Sequence, residues 1–293
     1  MRKIPFISLA ILLMASLCIG FSSWKVEEKE EIQKTLKFQD LSRPKELWVD
    51  NVHGSIEVVG YRGQEVQLTV QKTILARSKE KIQRAKEEVC LEITEEGNTI
   101  DLYVDGPFRC CHKGRKWRRW RNPGYEVQFD FEIKVPLETS LYLHTVNKGD
   151  IRIENVRGEF EVKNVNGSIT MKEIAGAGEA RTVNGEVKVV FSRKPESDCS
   201  FRTINGDLEI SFPKNLSADF QLKTFNGEIY SDFPVNYLPV KAPVQAQKKG
   251  KFVYKSNRFF GVRIGKGGPE IKLDTLNGDI FIAKENEIYR RIK

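Results

Sequence analysis

Apolar and polar residues alternate with a period of two along most of this chain, the pattern of strands with one buried face. The clearest run is Tyr125 to Val135, where Tyr125, Val127, Phe129, Phe131, Ile133 and Val135 share one side and Pro136 ends the strand. Trp48 to Val59 (WVDNVHGSIEVV) predicts strand, turn and strand, and Val66 to Val70 a further strand. Leu91 to Ile93 and Ile100 to Val104 flank Glu95-Glu96-Gly97-Asn98 and predict a hairpin. The period changes once. Ile82, Ala85 and Val89 recur at i, i+3, i+7 among charged residues, which predicts one amphipathic helix over Ser78 to Val89. Residues 23–46 are densely charged without a strong strand pattern and read as a tether or short helix.

From Leu141 onward the chain repeats itself: TVNKGDIRI, NVNGSITM, TVNGEVKVV, TINGDLEIS, TFNGEIYS and TLNGDIFI. NVRGEFEV is a degenerate copy, and NVHGSIEV around Gly54 an outlying one. The corners are Asn166-Gly167, Asn184-Gly185, Asn205-Gly206, Asn226-Gly227 and Asn277-Gly278. Successive glycines from Gly149 lie 18, 18, 21 and 21 residues apart; the last step is 51, because residues 232–270 are inserted. Asn-Gly turns a chain sharply because both residues tolerate positive φ. Repeated hairpins would use it in type I′ turns. A β-solenoid would use it at one corner of every coil, with equivalent residues stacked about 4.8 Å apart. Uniform corners and short, regular repeats favour the solenoid.

Stacking then makes columns. Arg181, Arg202 and Lys223 would form a basic ladder, Glu186, Asp207 and Glu228 an acidic one, and Asn184, Asn205 and Asn226 an amide ladder. None needs a ligand. Val162, Ile169, Val187, Leu208, Ile229 and Ile280 are expected to point inward. The fold class expected is all-β with one short helix, a β-solenoid. Residues 47–140 would supply strands, the helix and a basic hairpin loop capping it; 141–285 would be the coils, and 286–293 a C-terminal tail.

At these residues the chain resembles a bacterial adhesin-like family of unknown function, a set of exported β-helical domains. The resemblance runs over about residues 47–285 and rests on NVHGSIEVVGY, the helix-bearing segment, the FEIKVP strand and the Asn-Gly coils. It implies a single-stranded right-handed β-helix and a cell-envelope location, and it offers no catalytic residues. The insertions at Cys110 to Trp120 and at 232–270 depart from the family's plain pattern.

The N-terminus agrees with export. Arg2 and Lys3 precede the apolar run Ile7 to Leu17, and Cys18, Gly20 and Ser22 are small residues, so 1–22 is expected to be a cleaved signal peptide. An uncleaved anchor over Ile4 to Phe21, or lipidation of Cys18, are the alternatives. Either way the body would be periplasmic, cell-surface or extracellular.

Charge changes the picture in one place. The 293 residues carry +8; without Arg2 and Lys3 the balance is +6. Arg109, Lys113, Arg115, Lys116, Arg118, Arg119 and Arg121 contribute +7 with no acid among them, so the remainder is close to neutral. With Trp117 and Trp120 interleaved, this loop reads as an anion-binding surface for an acidic lipid or acidic polysaccharide of the envelope. Nucleic acid fits the same chemistry, but an exported protein rarely meets it.

Other chemistry is sparse. Walker A, GxGxxG, GxSxG, HExxH and CxxC spacings are lacking, so no cofactor or metal is expected. Glu186, Asp207, Glu228 and Asp279 recur once per coil, as a solvated stripe does and a catalytic pair does not. Cys90, Cys110, Cys111 and Cys199 would remain after export, and a disulfide from Cys90 to Cys110 or Cys111 fits an oxidising compartment. The expectation is therefore a monomeric, non-catalytic envelope or surface scaffold. A polysaccharide-acting β-helix enzyme and an accessory of envelope stress signalling are the alternatives.

Overall fold

The structure is a computed structural model that describes residues 26–40, 42–109, 123–239, 244–248, 251–255 and 259–284. In chain order its first elements are β1 (Val26–Lys37), β2 (Lys45–Asp50), β3 (Ile56–Tyr61), β4 (Glu65–Ala76), α1 (Lys79–Glu88), β5 (Cys90–Glu96), β6 (Thr99–Asp105), β7 (Tyr125–Pro136) and β8 (Thr139–His144). The repeats follow as β9 (Ile151–Glu154), β10 (Phe160–Lys163), β11 (Ile169–Ile174), β12 (Gly178–Arg181), β13 (Val187–Phe191), β14 (Cys199–Arg202), β15 (Leu208–Phe212), β16 (Ala218–Lys223) and β17 (Ile229–Ser231). The last are β18 (Asn236–Tyr237), β19 (Val244–Lys248), β20 (Lys251–Lys255), β21 (Phe260–Ile264), β22 (Glu270–Asp274) and β23 (Ile280–Lys284). The helix α1 lies where its period predicts, with the Ser78 side chain accepting from the Lys81 amide as N-cap.

Two sheets face each other across one hydrophobic core. The first runs β1-β4-β7-β3-β9-β11-β13-β15-β23-β17, the second β18-β21-β16-β22-β14-β12-β10-β8-β2-β6-β5, and β19-β20 form a separate hairpin. Each coil gives one strand to each sheet, and from β7 to β17 and from β6 to β16 the neighbours are parallel. Antiparallel strands appear only outside that block: β4 and β1 on one sheet, β5, β21 and β18 on the other. The architecture is a β-solenoid-like stack with mixed sheets at its ends. Val162, Ile169, Val187, Leu208 and Ile280 are buried as expected, while Ile229 in the outermost coil is only half-buried. Each fully buried side chain of this kind stabilises by about 1.5–3 kcal/mol.

The coils do not stack in chain order. β22–β23 lies between β14–β15 and β16–β17, and at the other end β2–β3 lies between β6–β7 and β8–β9. Each chain-terminal coil is therefore tucked one place inward. This corrects the expected columns. Lys223 does not stack on Arg202; Asp274 stands between them, 3.6 Å from Arg202 and 3.2 Å from Lys223. An acid between two bases removes the like-charge repulsion that a chain-order stack would create.

The polar consensus closes on itself. Asn166, Asn184, Asn205, Asn277 and Asn226 each donate a side-chain amide to the asparagine oxygen of the adjoining coil, at 2.7–2.8 Å, starting from Asn147. The threonine two places earlier donates its hydroxyl to a corner-glycine carbonyl: Thr182 to Gly167, Thr203 to Gly185, Thr275 to Gly206 and Thr224 to Gly278. The acid after the glycine also faces a neighbour, with Asp207 accepting from the Asp279 amide and Asp279 from the Glu228 amide. The glycines are needed for closeness more than for positive φ. A Cβ on Gly206 (φ +150) would stand 2.1 Å from the Gly185 carbonyl oxygen.

Residues 26–37 are a correction to the expected tether. They form β1, paired over all 12 residues with β4. Leu36 and Phe38 anchor it in the core, and its many charges are tolerated because it is an edge strand with solvent beside it.

Candidate functional site

The strands that flank the basic stretch have a defined place in the fold. In the inner coils an Asn-Gly corner joins the second sheet to the first; in the outermost coil the two strands are β6 and β7, which bracket the basic stretch in sequence. Lys113, Arg115, Lys116, Trp117, Arg118, Arg119, Trp120 and Arg121 lie outside the described residues, as do Cys110 and Cys111. Arg109 is described, and the structure removes it from the anion-facing set. Its guanidinium donates to the Asp50 carboxylate (2.9 Å), the Asp50 carbonyl (2.8 Å) and the Val104 carbonyl (3.0 Å), and lies over the Tyr103 ring at 4.5 Å. Arg109 thus clamps the base of the loop to the ends of β2 and β6.

Around that clamp the outward residues of β2, β6 and β8 converge. The Trp48 and Tyr142 rings stack in parallel with centroids 4.0 Å apart. His144 Nδ1 is 2.9 Å from Asp50. Burial alone would raise the Asp50 carboxyl, but its hydrogen bond with His144 and the Arg109 charge outweigh it and hold it below the ordinary range. Asp101, opposite Trp48, is pushed the other way, by burial first and then by Asp50 and Glu92. Further along the same face a groove of about 540 Å³ runs from Tyr142 past Glu159, Glu161, Glu179, Asp198 and Glu270 to Lys272. Gly178 lines it, pressed so closely on the Phe160 carbonyl that a Cβ would stand 1.9 Å away. This face is acid-rich and aromatic, suited to hydrogen-bonding and stacking, and hostile to anions.

Of the four cysteines expected to remain after export, Cys110 and Cys111 lie outside the described residues, and Cys199 stands apart from the expected Cys90 pairing. It is a free thiol buried in β14, and burial pushes it up to about 11. Cys90 begins β5, where its sulfur and the Glu92 and Asp105 carboxylates lie within 4.8 Å of one another, a set that could hold a cation. The corner asparagines and glycines take the structural places described above, except that Gly227 lies in the outermost coil, where no described threonine donates to its carbonyl. Sequence reading missed Trp48, Asp50, Tyr142 and His144 as a group, since Asp50 and His144 are 94 residues apart. It also missed Lys72, whose ammonium is buried, donates to the Val89 carbonyl at the end of α1 (2.9 Å) and is driven down in pKa by burial. A lysine at an inward position of an alternating strand was the available signal.

No curated protein matches the chain. A solved structure titled "putative cell adhesion protein", from Clostridium sporogenes ATCC 15579, covers 88% of this chain and 100% of its own at 10% identity and a TM-score of 0.43. The Asn-Gly repeats carry a family resemblance that is found directly: residues 140–283 match the model of the Toastrack DUF4097 family, whose function is unknown.

Proposed function

We propose that this protein is an exported, non-catalytic envelope scaffold whose stacked coils hold a basic loop against an acidic lipid or acidic polysaccharide. The observation that carries this is the self-closure of the repeat: the recurring asparagines, threonines and acids bond to adjoining coils. The run of six bases from Lys113 to Arg121 contains no acid in sequence, and the described residue before it, Arg109, is clamped on Asp50. The acid-rich groove face would turn away from an anionic surface, so the same charges that attract the loop would orient the scaffold. Residues 1–22 would be removed on export, and the coils would wind right-handed, as nearly all parallel crossovers do.

Co-sedimentation with phosphatidylglycerol vesicles, phosphatidylcholine vesicles and an acidic polysaccharide at two ionic strengths tests the reading. Binding is expected to the anionic partners alone, to weaken steeply with salt, and to be nearly abolished by Arg118→Glu with Arg119→Glu. Trp117→Ala should lower affinity with little change in salt slope. Equal, weak binding to all three would overturn the proposal. One observation favours a polysaccharide-acting enzyme instead: Asp50 and Asp101 are neighbouring carboxyls pushed in opposite directions on an aromatic face. Release of reducing sugar from an acidic polysaccharide, lost in Asp101→Asn, would establish that reading.

A further inference from the structure

We propose that the distal edge of the first sheet, β17, is a two-fold pairing surface for a second copy of this chain. The expectation from sequence was a monomer; the edge argues otherwise. β17 is last in its sheet, with no strand on its outer side among the described residues, whereas β16 beside it is covered by β21 and β18. Its backbone shows which groups are open. The Glu228 carbonyl accepts from the Ile280 amide, and the Asp232 amide donates to the Ile282 carbonyl. Even-numbered residues thus bond β23, and the amides and carbonyls of Gly227, Ile229 and Ser231 turn to the open side.

The side chains change character at the same place. On the outer face of the first sheet the cross-strand row reads Arg152, Thr170, Lys188, Glu209 and then Phe281 and Tyr230. At the position before each corner asparagine the stack order is Val146, Val165, Val183, Ile204, Leu276 and Phe225. Leu276, Tyr230 and Phe225 are 45%, 46% and 64% exposed. Large apolar groups thus replace polar or smaller ones in the last two coils. A bare strand edge with an apolar fringe is a template for strand addition.

Charge and register select the occupant. Head-to-tail pairing would set β17, flanked by Glu228 and Asp232, against β5 with Glu92, Glu95 and Glu96, or against β1, whose four glutamates outnumber its three lysines. Acid would then meet acid. An antiparallel pair about a two-fold axis at Ile229 avoids this. It sets Ile229 on Ile229, Ser231 on Gly227, and Tyr230 on Glu228, the residue its hydroxyl already bonds within one chain. Asn226 falls opposite Asp232. The two half-buried Ile229 side chains would complete the core position that is closed in the inner coils. Such a contact is self-complementary and closes at two copies.

Sedimentation velocity of the full chain in non-ionic detergent, over a range of protein concentration, tests this. The dimer fraction should rise with concentration and be unchanged by salt. Ser231→Pro should weaken it by about tenfold or more, because that amide faces the open side and its loss leaves the β23 ladder intact. Register is tested by oxidation: Ile229→Cys should give a covalent dimer, since directly opposed residues lie within disulfide reach, and Tyr230→Cys should give none above the unsubstituted chain. A monomer at all concentrations would overturn the proposal, as would a dimer untouched by Ser231→Pro or cross-linked equally through either position.

Discussion

The two ends of the solenoid are built on one plan and finished differently. At each, the terminal coil of the chain is tucked one place inward, β2–β3 behind β6–β7 and β22–β23 behind β16–β17. The proximal end is then closed on both sheets, by β4 and the charged edge strand β1 on one and by β5 on the other. Among the described residues the distal end is closed on one sheet, where the Arg263 guanidinium on β21 grips the Asp219 carboxylate of β16 through two 2.7 Å bonds. Tucking encloses β2–β3 and β22–β23 between other coils, but protection of a sheet edge needs its own strand or its own charges. The proximal end has both and is where the segment bearing the basic run is rooted; the distal edge has no covering strand among the described residues, and its acids, Glu228 and Asp232, lie only at the two ends of β17.

The largest expected effect lies in the middle, on which both ends depend. Gly206→Val should cost on the order of 4 kcal/mol, since its Cβ would overlap the Gly185 carbonyl at 2.1 Å and its φ of +150 excludes a β-branched residue. Asp207→Ala should cost about 1 kcal/mol, the worth of one bond to the Asp279 amide. Equal melting temperatures for the two would refute the stacking argument.

The next effect separates the ends. Asp274→Lys puts three bases in one column with Arg202 and Lys223 and should cost about 2 kcal/mol. Hydrogen exchange should accelerate in β16, β17, β22 and β23 and stay unchanged in β2 to β8. Uniform acceleration would mean that the distal coils are not a separable unit. Arg109→Ala is the proximal counterpart, expected to lower stability by about 1–2 kcal/mol and to accelerate exchange at the ends of β2 and β6.

The smallest effect is a pH dependence confined to the proximal end. Asp50 is held below its unfolded value, so its contribution is fully present above about pH 4 and fades as pH falls through the depressed value. Asp50→Asn should therefore melt below the unsubstituted chain at neutral pH and converge with it in acid. Parallel melting curves down to acid would show that Asp50 is not engaged as described.

Much of this fold is legible in the residues, and the failures have physical causes. Strands, helix and corners follow from period and from Asn-Gly, and the amide ladder follows from stacking. The coil order does not, because TFNGEIYS and TLNGDIFI are interchangeable as patterns. The one discriminating signal is Asp274, an acid at the position that holds Arg181, Arg202 and Lys223 in the other copies. β1 hides as a strand because charges dominate it, and only pairing with β4 reveals its face. The Trp48–Tyr142–Asp50–His144 face is assembled from strands adjacent in the sheet and distant in the chain. Outward positions of a solenoid strand carry no periodic signal that would join them.

The division of labour between the ends can be tested by hydrogen exchange of the full chain with and without phosphatidylglycerol vesicles, at low and high protein concentration. The account predicts that vesicles slow exchange around residues 105–125 and leave β17 unaffected, while raised concentration slows β17 and leaves the loop unaffected. Vesicle protection along the acid-lined groove of β10, β12 and β14, or none anywhere, would contradict it.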